Sequence, residues 1–389
     1  MSRSALPEPP DPAVWPTMRT IMPARPSPRR LHFMLPFALP RAADAAASLR
    51  DLASPALAAL LARAHLVEHM PGEDFQRTLP HERWLAARFG AIDGDAADEA
   101  PLAPYMLLAD GGTPGDTPWA CVQPVHVQIA TDHLVLIDPT ALALPEAEAA
   151  TLLAVARPLV EELGVRLQAP DPRRWYLSSQ ALAALAGAAP LRASGRNIEI
   201  WLPHEAKTGE RSRLWMKLQN EVQMAWFGHP VNEAREARGQ FSANSIWFHG
   251  QGTLRPVTSP FARVLSSASA TRGLALAARV PAAAPPAAFG ALEAAGMAPD
   301  ISGGDGRATL IELDTLTVPF IQQDWHGWRA ALDELERDWF APALAALRTG
   351  GLHELALTLC GDTSSTTLAV TRGALRKFWR RRTLASLFE

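Results

Sequence analysis

The sequence predicts an α/β fold in which one mostly parallel sheet carries helices on both faces and an α+β subdomain is inserted around residues 120–255. Short apolar runs alternate with amphipathic stretches of helical spacing along most of the chain, which is typical of β–α–β units. The closing third shows this most clearly, because the amphipathic stretch Trp328–Leu347 separates the apolar runs Leu310–Leu313 and Thr317–Ile321 from Glu354–Cys360. No repeat with a period of about 20 to 50 residues is present, so a solenoid or propeller is not expected.

The first third of the chain predicts an arm followed by one β–α step. Residues 1–30 are rich in proline and show no helical or strand period, which indicates a disordered or extended arm. Leu31–Leu35 is predicted as a buried strand, and Ala45–Ala64 as a helix with a start signal at Ser54-Pro55. Gly90–Asp116 is rich in Gly and Asp and is predicted as loop. We therefore expect a core made of residues 31–119 and 256–389, interrupted by the subdomain at 120–255.

The remaining elements follow from apolar periodicity and turn signals. Val122–Ile137 is predicted as a hairpin that turns at Thr131-Asp132-His133. Pro145–Leu163 is predicted as a helix because acidic residues occupy its first turn and Gly164 follows its end, where a left-handed residue is expected. The other predicted strands are Val165–Leu167, Trp175–Leu177, Asn197–Leu202 and Ser245–Phe248, and the other predicted helices are Arg211–Trp226, Pro260–Ala275, Ala287–Gly296 and Ala374–Phe388.

Composition restricts the class of protein and its partners. The chain has 389 residues, with 37 Lys and Arg against 40 Asp and Glu, so no overall field attracts it to nucleic acid or to a membrane. Its two cysteines, Cys121 and Cys360, lie in apolar runs, which argues against a disulfide framework or a cysteine zinc site. A signal-peptide pattern and apolar runs of about 18 residues are lacking, so we expect a cytoplasmic protein.

Common catalytic signatures are missing, and three turns offer polar groups instead. Neither a nucleotide-binding glycine motif nor a zinc-protease or hydrolase motif occurs. Asp132 and His133 could bind a metal or form a polar hairpin tip. Asp324 and His326 could project from the carboxyl edge of the sheet, or Asp324 could cap the following helix. The turn after Glu354–Cys360 offers a carboxylate, Asp362, with hydroxyl groups, although an ordinary turn is an equal alternative.

The stretch from His229 to Gly252 combines several special residues in a short span. Pro230 and Gly239 shape the backbone, and Gly250 and Gly252 permit a ligand to approach closely. The polar residues either satisfy the loop internally or converge on an anion, and we predict a ligand-binding set from them: His229, Asn232, Arg235 and His249.

Read as a unit, this stretch resembles a conserved block of the archaeal-type, cofactor-independent phosphoglycerate mutases. That block runs His-Pro-Val-Asn, then Arg, Gly and Ala-Asn at fixed spacing, and ends after a strand in Arg-Gly-x-Gly. The corresponding residues here are His229 to Asn232, Arg235, Gly239, Ala243-Asn244 and His249-Gly250-Gln251-Gly252, with His249 in place of the family's arginine. Pro203-His204-Glu205 and Gly290–Gly304 also resemble elements of the family, and a looser similarity covers residues 30–380. The resemblance implies an alkaline-phosphatase-like core with an inserted domain.

The resemblance also implies a serine nucleophile and two divalent metals, and several of these residues are replaced. Pro36-Phe37 stands where the family has Asp-Gly, and Thr78–Arg83 corresponds to the nucleophile segment without its serine. Two-metal phosphoryl transfer needs several hard or imidazole ligands for each ion and a nucleophile held against them. The surviving metal-ligand candidates are Asp324, His326 and Asp362, which could hold at most one ion.

These replacements lead to a main hypothesis and two alternatives. The main one is a degenerate bacterial homologue, similar to proteins labelled as RpfE-type regulatory proteins, that has lost mutase activity and acts as a binding or regulatory pseudoenzyme. It would take a phosphorylated or carboxylate small molecule and need no cofactor, or at most a single Mn or Zn ion. One alternative is an active phosphomutase or phosphatase that uses His81 with Glu82, or Asp132 with His133. The other is an interaction protein that binds an acidic partner through the basic C-terminal helix that begins at Arg376; nucleic acid is not expected.

Overall fold

A computed structural model of the chain describes residues 29–41, 52–93, 99–294, 307–377 and 379. The predicted arm at 1–30 lies outside the described residues except for its last two positions. Most of the predicted helix Ala374–Phe388, with its basic cluster, also lies outside them; its described start, Ala374–Arg376, is a short 3-10 turn.

The bounds of the elements are as follows. The strands in chain order are β1 Arg30–Leu39, β2 His65–Met70, β3 Pro118–Val125, β4 Val127–Ile129, β5 Leu134–Leu136, β6 Arg166–Asp171, β7 Arg174–Ser178, β8 Leu185–Ala186, β9 His204–Glu205, β10 Ser245–Thr253, β11 Phe261–Leu265, β12 Ala282–Ala283, β13 Ala308–Glu312, β14 Glu354–Gly361 and β15 Ser365–Thr371. The helices are α1 Pro55–Arg63, α2 Pro80–Phe89, α3 Ala103–Ala109, α4 Pro139–Leu142, α5 Glu146–Glu162, α6 Gln180–Ala183, α7 Pro190–Ala193, α8 Arg213–Trp226, α9 Pro230–Ala237, α10 Ser269–Ala277, α11 Ala291–Ala294, α12 Thr317–Ile321, α13 Trp325–Leu335 and α14 Ala341–Thr349, and a π-helical turn, Glu336–Phe340, joins the last two.

The central sheet is mostly parallel, as predicted. Seven of the described strands form it in the order β12–β11–β13–β1–β14–β15–β2. The pairings from β12 to β14 are parallel, whereas β15 pairs antiparallel with both β14 and β2. The prediction of a mostly parallel α/β fold is confirmed.

Helices cover both faces of this sheet because successive side chains of a strand point to opposite sides. On β1, Phe33 and Leu35 pack in one cluster with Trp328 and Leu344 from α13 and α14. Met34 points the other way, into a cluster built by α2, α3 and α10. Both faces of the sheet are therefore buried at β1, which explains why this strand is apolar at almost every position.

The segment from Pro118 to Thr253 forms a second, antiparallel sheet with the strand order β10–β3–β7–β6. One of its faces packs Val122 and Phe248 with helices α5 and α8. The other face contributes Cys121 and Tyr176 to the cluster that also contains Met34 of the central sheet. This segment combines helices with antiparallel strands, as predicted for an α+β insertion.

Helix α5 illustrates how local signals set the bounds of an element. Glu146 and Glu148 occupy its first turn, where negative charge interacts favourably with the helix dipole. The helix ends at Glu162, and Gly164 adopts φ of 68°. Glycine has no Cβ to clash in this left-handed conformation, so the predicted end of the helix is confirmed.

Four predicted elements are wrong. Gly90–Asp116, predicted as loop, contains helix α3, Ala103–Ala109. Thr317–Ile321 is helix α12 and not a strand, because the amides of Thr317 and Phe320 bond to the carbonyls of Asp314 and Leu316 and close a helical turn. Asn197–Leu202 contains a 3-10 turn, Glu199–Trp201. Pro260–Ala275 contains strand β11 before helix α10. In each segment the residue composition favoured another state, because intrinsic propensity is a weak guide for short elements.

The described part of the chain has no helix that is both long enough and apolar enough to cross a bilayer.

Candidate functional site

Asp362 occupies the carboxyl edge of the central sheet. It directly follows β14, whose last residue, Gly361, pairs with Leu39 at the end of the neighbouring parallel strand β1. Ligands of open α/β folds bind at this edge, because the loops that follow parallel strands meet there. The side chain of Asp362 is almost completely buried.

Three arginines converge on this carboxylate. Arg192 Nη1 donates to the main-chain oxygen of Asp362 at 2.7 Å and to its Oδ1 at 3.0 Å. Arg196 Nη2 donates to the same Oδ1 at 2.7 Å, and Arg41 Nη2 donates to Oδ2 at 3.0 Å. The three come from two distant segments, since Arg192 and Arg196 belong to α7 and the turn after it, whereas Arg41 follows β1.

The arginines keep Asp362 ionised in spite of its burial. Burial alone would raise the pKa of this carboxyl, but the hydrogen bond from Arg196 and the charges of Arg192 and Arg196 outweigh it and hold the pKa below its ordinary value. Arg192 is fully buried, and the loss of hydration lowers the pKa of its guanidinium while the charge of Asp362 opposes that change. The ring of Trp201 lies 5.8 Å from the Arg192 guanidinium carbon and provides a further favourable contact.

A cavity of about 230 Å³ opens beside this cluster. We call it the arginine pocket and define it by six of its lining residues: Arg41, Arg196, Asp362, Phe320, Gln323 and Trp325. Arg192 lies behind Asp362 and does not line the cavity. The pocket therefore presents guanidinium groups and aromatic rings to the same space.

The three predicted metal-ligand candidates do not come together. Asp324 is exposed and caps helix α13, accepting a hydrogen bond from the amide of Gly327 at 2.9 Å. His326 is exposed two residues further on, and Asp362 is bonded to arginines. Over the parts of the chain that the structure describes, no group of three His, Cys, Asp or Glu side chains could hold a metal ion. The expected projection of Asp324 and His326 from a strand end fails because the preceding segment is helical.

Three of the four residues of the predicted ligand-binding set hold the backbone of the insertion together. His229 begins α9 and accepts from the amide of Val231 at 3.2 Å. Asn232 donates to the carbonyls of Trp226 and Ala243 and accepts from the Ala243 amide at 3.0 Å. The hydrogen-bonding groups named here are used within the insertion, which agrees with the internal alternative for this stretch.

Arg235 is the centre of this internal network. Its Nε donates to the carbonyl of Phe241 at 2.7 Å, and Nη1 forms an ion pair with Glu148 at 2.6 Å. Nη2 donates to the carbonyl of Leu142. The side chain is almost fully buried, so it connects α9 to α5 and α4 and does not present its charge to a ligand.

The fourth residue, His249, lines a different and much smaller cavity of about 10 Å³, together with Glu82, Glu99 and Gln251. This volume is sufficient for roughly one water molecule. The buried Nε2 of His249 has no hydrogen-bond partner within the described residues, and burial lowers the pKa of the imidazole to about 4. His249 therefore lies outside the hydrogen-bond network around Arg235.

The two rearranged sites considered from the sequence differ in their surroundings. His81 is buried beside Phe37, and burial lowers the pKa of its imidazole to about 3. Burial raises the pKa of Glu82 to about 7, although its hydrogen bond from the Leu79 amide and the charge of Arg192 oppose the rise. Asp132 and His133 are joined by a hydrogen bond of 2.6 Å between Oδ1 and Nδ1 at the exposed tip of a hairpin.

Phe37 fills the end of β1, at the position where the resemblance places a glycine. It has φ of 55°, a conformation that is strained for a bulky residue. Its ring lies 4.8 Å from Phe320 and 5.5 Å from His81, and its carbonyl accepts from Trp328 Nε1 at 3.0 Å. The backbone thus has a glycine-like conformation, while an aromatic ring occupies the space beside the arginine pocket.

Sequence reasoning identified Asp362 but missed Arg41, Arg192 and Arg196. The only local signal was the spacing of Arg192 and Arg196 by four residues in a Gly-containing turn, which is common on ordinary surfaces. The convergence depends on tertiary contacts between residues 166 to 321 positions apart.

Comparison with known proteins supports the fold alone. The PH0037 protein of Pyrococcus horikoshii matches with a TM-score of 0.53 and 13% identity, over 93% of this chain and 92% of that chain. A structure described as a cofactor-independent phosphoglycerate mutase of Thermoplasma acidophilum matches with a TM-score of 0.43 and 13% identity, over 92% of this chain and 94% of that one. No protein-family model matches the chain, and no curated protein matches it significantly. The first match shows that the two chains share an overall fold.

Proposed function

We propose that this protein binds a small phosphorylated or carboxylate molecule in the arginine pocket and acts as a binding or regulatory protein without phosphoglycerate mutase activity. The observation that carries this proposal is the convergence of Arg41, Arg192 and Arg196 on Asp362 beside a cavity at the carboxyl edge of the sheet.

Three guanidinium groups contact the single carboxylate of Asp362. Arg192 and Arg196 already bring two guanidinium groups to one Asp362 side chain, and Arg41 adds a third. Arg196 retains about a third of its side-chain exposure while it is bonded to Asp362, so part of its guanidinium can also contact a ligand in the pocket. Guanidinium groups bind phosphate and carboxylate oxygens through short, charge-assisted hydrogen bonds.

The same contacts argue against two-metal phosphoryl transfer. The resemblance assigns Asp362 to the family's metal-binding Gly-Asp-His-Ser element, and here its oxygens are bonded to arginines. Leu79, a buried apolar residue, stands in the segment that corresponds to the nucleophile. Phe37 occupies the end of the strand where the family carries an aspartate and a glycine. Activation of a hydroxyl nucleophile by metal ions requires groups that these positions do not offer.

Binding of inorganic phosphate, measured by titration calorimetry, tests the proposal. The wild-type protein should bind phosphate saturably, and Arg196→Gln should weaken binding about tenfold or more, since a hydrogen bond to a charged group contributes roughly 1.5–3 kcal/mol. Arg238→Gln is the matched control, because Arg238 also pairs with a carboxylate at 2.7 Å on the surface but lies outside the pocket. Equal affinities of wild type and Arg196→Gln, or no saturable binding, would overturn the assignment of the pocket.

A separate assay tests the loss of catalysis. Interconversion of 2- and 3-phosphoglycerate should be undetectable with or without added Mn²⁺ or Zn²⁺. Turnover that depends on either metal and disappears in Asp362→Ala would show that the protein is an active phosphomutase, whatever the phosphate titration gives.

A further inference from the structure

We infer that the ligand of the arginine pocket is an aryl or heteroaryl anion, that is, a flat ring that carries a phosphate or carboxylate group. This inference rests on the proposed function and specifies the class of ligand. Its basis is that part of the pocket wall is aromatic and belongs to a turn with a constrained backbone.

Phe320 and Trp325 form this wall. Their ring centroids are 5.6 Å apart and their planes meet at 85°, so the edge of one ring meets the face of the other. Phe320 is buried against Phe37, whereas Trp325 remains partly exposed on the side of the cavity. A flat ligand ring can therefore stack on or pack edge-on against Trp325, and such aromatic pairs are favourable beyond the apolar area they bury.

The position of Trp325 is fixed by the turn between α12 and α13. Gln323 lines the pocket with φ of 55°, a conformation that a residue with a side chain adopts at an energetic cost. Asp324 then caps α13 through the Gly327 amide, and Trp325 is the first residue of that helix. The capped helix and the strained turn fix the backbone at Trp325, so the position of this residue does not depend on a long flexible loop.

The size of the cavity agrees with this class of ligand. Apolar cavities of about 150 Å³ accommodate a benzene ring. At about 230 Å³, the arginine pocket has space for one such ring and a small charged substituent. In a bound ligand of this class, the charged substituent would contact Arg41 or Arg196 and the ring would contact Trp325, since all three residues line the same cavity.

The affinities of phenyl phosphate, cyclohexyl phosphate and inorganic phosphate test this inference. The two organic phosphates have the same charge and similar size, but only one has a flat ring. Phenyl phosphate should bind at least about fivefold more tightly than cyclohexyl phosphate, as expected for stacking of one ring on an aromatic side chain. Trp325→Leu should abolish this preference, and Trp325→Phe should restore it.

Phe227→Leu serves as the control, since Phe227 is an exposed aromatic residue that does not line the pocket. Equal binding of the two organic phosphates, or a preference that persists in Trp325→Leu, would overturn the aromatic assignment while inorganic phosphate binding still supports the proposed function. No binding of any of the three phosphates would overturn both.

Discussion

The fully buried guanidinium of Arg192 donates hydrogen bonds to the main-chain and side-chain oxygens of Asp362, a residue 170 positions later in the chain. This ion pair connects helix α7 to the end of β14. Removing one partner of a buried ion pair leaves the other charge without compensation, and this costs about 3–5 kcal/mol.

Asp362→Asn is therefore expected to lower the free energy of unfolding by about 3 kcal/mol in urea titrations. Asp324→Asn is the control, because Asp324 is exposed and asparagine caps helices as well as aspartate does, so its effect should stay within about 0.5 kcal/mol. Similar unfolding midpoints for both variants would show that the ion pair between Arg192 and Asp362 contributes little to the free energy of unfolding.

Arg235→Gln should destabilise the protein without weakening phosphate binding, because the buried side chain holds Glu148 and the carbonyls of Leu142 and Phe241. The expected loss is about 3 kcal/mol or more. Arg238→Gln, which removes an exposed partner of the same Glu148, should cost less than about 1 kcal/mol. A loss of phosphate affinity in Arg235→Gln at full stability would instead support the ligand-binding role predicted from the sequence.

Stability should fall as the pH drops below about 6.5. Burial lowers the pKa of His32 and His81 to about 3 and that of His249 to about 4, so the unfolded chain takes up protons on these residues that the folded protein does not. Each histidine lowers the free energy of unfolding by an amount that approaches about 1.4 kcal/mol per pH unit as the pH falls below 6.5. Glu82, with its pKa raised to about 7, and Glu312, whose pKa is also raised by burial, act in the opposite direction but are fewer than the three histidines.

Urea unfolding between pH 7.5 and 5 measures this dependence above the range in which the paired carboxylates are protonated. A constant or rising free energy of unfolding from pH 6.5 to 5 would show that the three histidines are not buried in their neutral form.

Anion affinity should rise as the pH falls through about 7. Ionised Glu82 partly offsets the charge of Arg192, and protonation of Glu82 near pH 7 removes that offset. Sulfate is the suitable probe, because its charge stays constant over this range. Glu82→Gln should bind sulfate with an affinity that does not change between pH 6 and 8, and an unchanged pH dependence in this variant would assign the effect to another group.

The sequence carried enough information for the layers of the fold but not for the partners of the site. β1, β14 and α5 were predicted because apolar runs, helical spacing and a terminal glycine are local signals. Thr317–Ile321 was assigned to a strand because its β-branched and aromatic residues suit strands, whereas hydrogen bonds to Asp314 and Leu316 make it a helix.

The candidate site likewise contains residues that a local signal in the sequence indicates and residues that no local signal indicates. Asp362 was identified because it follows a strand, which is a local property. Its arginines were not, since nothing near Arg41 or Arg192 in the sequence indicates a carboxylate far along the chain. Asn232 and Arg235 were assigned to a ligand because polar residues between glycines resemble a binding loop, and only the tertiary structure shows that carbonyls of the insertion accept their hydrogen bonds.

The distances along the chain between Arg41, Arg192 and Asp362 also affect how the protein folds. Contacts of such long sequence separation form only after large loops have closed, which slows folding and delays these contacts to its late stages. A chain that has collapsed without docking its segments correctly would have helices and a sheet but no cluster of arginines around this carboxylate. The ability to capture an anion would therefore distinguish correctly folded molecules from compact misfolded ones in a refolding experiment.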